Sequence, residues 1–79
     1  MSDIVETIRE ADTSGNAFLL RVQLHSGETL RGAVMGQSFD DMERTKTVDL
    51  DLWHPDRSDP IDAERLVLFD EIKHFEVEW

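Results

Sequence analysis

Cysteine is absent from this 79-residue chain, which removes disulfide frameworks and thiolate-based zinc sites from consideration. With no sign of an oxidising compartment, the expected location is the cytoplasm. Long apolar runs are missing too. No stretch approaches the roughly 20 apolar residues of a membrane span, and the opening Met1-Ser2-Asp3-Ile4-Val5-Glu6 carries charge at once, unlike a signal peptide. Membrane insertion is therefore not expected. Basic residues are scarce: 8 Lys and Arg stand against 18 Asp and Glu, for a net charge of −10. Nucleic-acid affinity rests largely on Lys and Arg neutralising phosphates. The acids run through the whole chain and leave no basic stripe, so direct nucleic-acid binding is not expected. A basic protein, or a second copy of the chain, fits the charge better.

What remains describes one small folded domain over residues 1–79, since domains average roughly 100 to 150 residues and shorter ones bury less surface. A hydrophobic fraction of 39% beside 33% charged residues is that of a globular chain rather than a disordered one. Ile4, Val5 and Ile8 recur at helical spacing, so Asp3 to Ala11 reads as a short helix capped by Ser2 or Asp3. Asp12-Thr13-Ser14-Gly15-Asn16 supplies the turn that stops it.

From Ala17, where the barrel portion (17–79) is expected to begin, the period changes to two. Phe18, Leu20, Val22 and Leu24 alternate with Leu19, Arg21, Gln23 and His25, the pattern of a half-buried strand. His25-Ser26-Gly27-Glu28 forms a turn, and Leu30, Gly32, Val34 and Gly36 continue as a second strand in a hairpin. Gly32 and Gly36 share the apolar face, where a missing side chain permits bending or close approach of another strand. Ser38 to Lys46 reads as polar and turn-like. Val48, Leu50 and Leu52 mark a third strand ending at Trp53, His54 to Asp62 a mobile acidic loop, Arg65 to Phe69 a fourth strand, and Phe75, Val77 and Trp79 a fifth. The fold class is thus mostly β within α+β: a short N-terminal helix, then five antiparallel strands whose closure would remove exposed edges.

The hairpin pattern Val22-x-Leu24-x-x-Gly27-x-x-Leu30-x-Gly32-x-Val34 resembles the first motif of the Sm-like family. Phe39-Asp40-Asp41-Met42 stands where that family often carries an acidic and apolar pair. Val67-Leu68 with Ile72-x-x-Phe75 resembles its second motif, and the leading helix stands where Sm-like folds carry theirs. The resemblance spans nearly the whole chain and implies a strongly bent five-stranded small barrel able to pair its fourth and fifth strands with a neighbour. It does not carry RNA binding across. Glu43 and Arg44 stand near the family's base-contacting Asn, and Leu68-Phe69 replace its basic-Gly pair.

No nucleophile motif, phosphate-binding loop or dinucleotide fingerprint is present. His25, His54 and His74 are scattered without ligand spacing, so no metal and no cofactor is expected. The pairs Asp40/Asp41, Asp49/Asp51 and Asp70/Glu71 are what chance gives in so acidic a chain, and Asp56-x-x-Asp59-x-x-Asp62 lacks the glycine of a calcium loop. Trp53 and Trp79 end strands, where a large aromatic closes a core or anchors a partner; core closure is the expectation, with Trp53 kept as a partner-binding candidate.

These features point to a non-catalytic interaction or assembly module. It would use a strand edge, or an acidic face of Asp40, Asp41, Glu43, Asp49, Asp51 and Trp53, to bind a protein partner or itself as a homo-oligomer. The alternative reading is nucleic-acid-related: an RNA-binding ring, or an acidic mimic that occupies a basic protein's nucleic-acid site.

Overall fold

The computed structural model describes residues 3–35 and 38–79. Ser2 and Gly36, both named above, lie outside the described residues, as does the side chain of Asp3. Helix α1 (Asp3–Thr13) precedes β1 (Leu19–Leu24), β2 (Thr29–Val34), α2 (Phe39–Thr45), β3 (Thr47–Trp53) and β4 (Pro60–Leu68). A 3₁₀ turn, Phe69–Glu71, leads into β5 (Ile72–Glu78). The strands form one antiparallel sheet in the order β4-β3-β2-β1-β5. The radius of gyration is 11.6 Å, matching the roughly 12 Å of a compact chain of this length.

Alternation decides which face is buried. Leu20, Val22 and Leu24 of β1, Leu30 of β2, Val48 and Leu50 of β3 and Val67 of β4 point to one side. There they meet Ile4, Val5 and Ile8 of α1 and Met42 of α2. The helices, of about three and two turns, thus cover the inner face of the sheet, as helices too short to stand alone must. The β1–β2 hairpin turns where expected: Gly27 takes φ +97° and its N–H donates to the Leu24 carbonyl at 2.9 Å. Gly32 faces the core, and a Cβ placed on it would stand 2.9 Å from the Asp51 carbonyl carbon of β3. That strand approaches closely because Gly32 has no side chain.

Four expectations are corrected. Residues 38–46 are not a polar turn but hold α2, begun by Ser38, whose Oγ accepts from the Asp41 N–H at 3.1 Å. It ends at Lys46 in the left-handed conformation. The fourth strand starts at Pro60, not Arg65, because a bulge between Asp51 and Trp53 and a left-handed Asp62 (φ 66°) let β4 follow β3 to its end. The sheet is open rather than closed into a barrel. The Phe69 N–H is tied to the Lys46 carbonyl and the His25 N–H to that of Glu71, each at 2.8 Å. The turn therefore hands the chain across to β1, and β4 and β5 become opposite edges. Finally, neither tryptophan closes the core: Trp79 is 72% exposed and Trp53 is half-buried on the outer face.

Candidate functional site

The acids singled out from the sequence fall on two surfaces rather than one. Asp40 and Asp41 are exposed in the first turn of α2, where carboxylates favour the helix N-terminus. Asp41 pairs with Arg44 at 2.8 Å, and Glu43 with Lys46 at 3.5 Å. The hydrogen bond from Arg44, followed by that with Ser38, holds the Asp41 carboxyl below its usual range. These acids are thus partly answered by bases of their own helix.

Asp49, Asp51 and Trp53 point the other way. Val48 and Leu50 fill the core, so Asp49, Asp51 and Trp53, which alternate with Leu50 and Leu52, belong to the outer face of the sheet. Cross-strand register places Asp49 opposite Leu66, Asp51 opposite both Glu64 and Ala33, and Trp53 opposite Arg31.

A charge cluster that sequence reading missed organises the other end of this face. Arg21 and Arg31 stand directly opposite one another on β1 and β2, a like-charge pair that repels. Glu78 of β5 resolves it. One carboxylate oxygen takes the Arg21 Nε–H, and the other takes that of Arg31 at 2.6 Å. Hydrogen bonds from Arg21, opposed by burial and reinforced by Arg31, hold the Glu78 carboxyl below its usual range. The guanidinium groups also donate to the loop after β3: Arg31 Nη1 to the carbonyls of His54 (3.0 Å) and Arg57 (2.9 Å), Arg21 Nη2 to that of Pro55 (3.1 Å). The segment expected to be a mobile acidic loop is therefore pinned across the sheet. Alternation alone would have placed Arg21 and Glu78 outward, but not side by side.

The edges form the second candidate surface. In β4, Leu66 is 57% and Leu68 49% exposed, because Val67 between them takes the inward position. Beside the β5 edge, Ile4, Phe69, Ile72 and Phe75 line an apolar hollow of about 350 Å³ with Lys73 and His74 at its rim. An edge strand leaves main-chain N–H and C=O groups without strand partners.

His25 and His74 are exposed and His54 half-buried. Among the described residues no three of His, Asp and Glu gather so as to hold a metal ion. Among the described residues no helix is long and apolar enough to cross a membrane. No protein-family model, curated protein or solved structure matches this chain.

Proposed function

We propose that this chain is a non-catalytic assembly module, an open five-stranded sheet of Sm-like character, whose β4 edge pairs with the β5 edge of a neighbouring copy. The observation that carries this reading is the sheet order. It leaves β4 and β5 as the two open edges and puts two exposed leucines on one of them. The edges are unlike: β4 offers Leu66 and Leu68, and β5 offers the hollow lined by Ile4, Phe69, Ile72 and Phe75. Unlike surfaces on one molecule join head to tail, and such contacts close into a ring when the rotation per step allows it. Added main-chain hydrogen bonds supply affinity and the leucines supply register.

Hydrogen exchange at low and high protein concentration tests this reading. The amides of β4 and β5 are expected to gain protection as concentration rises, while those of the central β2 stay constant. Edge amides whose exchange is independent of concentration would refute it.

A further inference from the structure

The outer face of the sheet carries a cleft that edge pairing does not use. Phe18, Arg31, Ala33, Trp53, Glu78 and Trp79 are among the residues lining it, around about 400 Å³. Its floor is low because Ala33, with a single methyl, sits between Trp53 on β3 and the Phe18–Trp79 pair beyond β1 and β5. Phe18 and Trp79 pack with ring centroids 6.2 Å apart at 57°. Trp79 nevertheless remains 72% exposed. Both tryptophans of the chain therefore stand at one cleft.

The charge beside the cleft says what it takes. Two like-charge pairs face each other across strands on this side of the sheet. Arg21 and Arg31 are bridged by Glu78. Asp51 and Glu64, directly opposite on β3 and β4, have no such bridge: among the described residues neither carboxylate has a hydrogen-bond or ion-pair partner. Like charges so placed repel, and Asp51 is half-buried beside Ala33, the cleft floor. A cation set between them would turn a repulsion into two attractions. Aromatic faces attract the same ion, tryptophan most strongly, and the net charge of −10 draws basic chains toward the molecule.

We infer that this cleft docks a basic segment of another protein. One Lys or Arg side chain of the segment lies over Trp53, its charged head between Asp51 and Glu64, while apolar atoms of the segment fill the space between Trp53 and Trp79. The inference stands apart from edge pairing and can fail without it, since one is read by fluorescence and the other by hydrogen exchange in β4 and β5.

Short oligolysine and oligoarginine peptides are the probes, with oligoglutamate as the control, and intrinsic tryptophan fluorescence is the readout because both tryptophans line the cleft. A saturable change is expected with either basic peptide and none with oligoglutamate. Trp79→Ala, Ala33→Met and Asp51→Asn should each weaken binding about tenfold, whereas Asp40→Asn with Asp41→Asn on α2 should change it by less than about twofold. Asp51→Asn should also raise the melting temperature of the free protein, since it relieves the repulsion with Glu64. That keeps the test clear of misfolding. No saturable change with either basic peptide, equal losses in the α2 and Asp51 variants, or a melting temperature lowered by Asp51→Asn would overturn the proposal.

Discussion

At Gly32 a hydrogen is all that fits between β2 and β3, because any Cβ runs into the Asp51 main chain. Backbone cannot swing aside as a side-chain tip can. Gly32→Ala should therefore cost about 3 kcal/mol, the upper range for overpacking, read as a lowered midpoint in denaturant unfolding with unchanged slope. Glu78 is a second residue on which much rests. It ties the two arginines together, and they in turn hold the loop carbonyls of residues 54, 55 and 57. Its pKa is lower folded than unfolded. Its contribution is thus present above the ordinary glutamate pKa and disappears as the pH falls through that value and then the folded one. Glu78→Gln should be less stable than the parent by about 1–2 kcal/mol near neutrality. That gap should narrow as the pH drops from about 6 to about 3. Thermal melts across that range check it, and a gap of constant size would show that Glu78 acts through packing alone.

Among the elements, α2 shows what local sequence can hide. Ser38 to Lys46 is polar enough to pass for a turn, yet Ser38 followed by Asp40 and Asp41, with Arg44 in the last turn, is the pattern of a capped helix. Phe39 and Met42 at i, i+3 give it one inward face, on which Arg9 of α1 lies 5.1 Å from the Phe39 ring centroid. Ser38→Ala should cost about 1 kcal/mol through the lost cap. Faster amide exchange confined to the first turn of α2 is the expected sign; unchanged exchange there would mean that Met42 alone holds the helix. The helix α1, β1, β2, β3 and the hairpin turn were legible because burial writes a period into them. The first half of β4 was not, since residues 60–64 are held at an edge by backbone hydrogen bonds and bury nothing. The fate of Trp79 was equally hidden. Alternation gives it the same side as Phe75 and Val77, but β5 ends at Glu78 and the core has ended before it. Of the candidate site, the sign of Asp49 and Asp51 and their shared side could be read. Their separation from the α2 acids, the opposition of Asp51 and Glu64, and the exposed Leu66 and Leu68 depend on register, which only the folded sheet reveals.

For the whole molecule, charge and edges act against each other. Ten net negative charges repel a second copy, while two open edges and the leucines of β4 invite one. Salt weakens the first force and leaves the second, since screening acts over about 8 Å at physiological ionic strength. Self-association should therefore strengthen as salt is raised, and docking of a basic segment in the outer cleft should weaken. Leu66→Lys with Leu68→Lys adds to the β4 edge the lysines that natural edges use to refuse partners, and should abolish association without unfolding a monomer in which both positions are exposed. The measurement that tests the central claim most directly is mass in solution by light scattering, over a range of concentrations at low and high salt. The expected result is a species several times the 9.1 kDa of one chain, favoured by salt and reduced to monomer in the double lysine variant. A 9.1 kDa species at every concentration and salt, or an oligomer indifferent to the two lysines, would contradict assembly through the β4 edge.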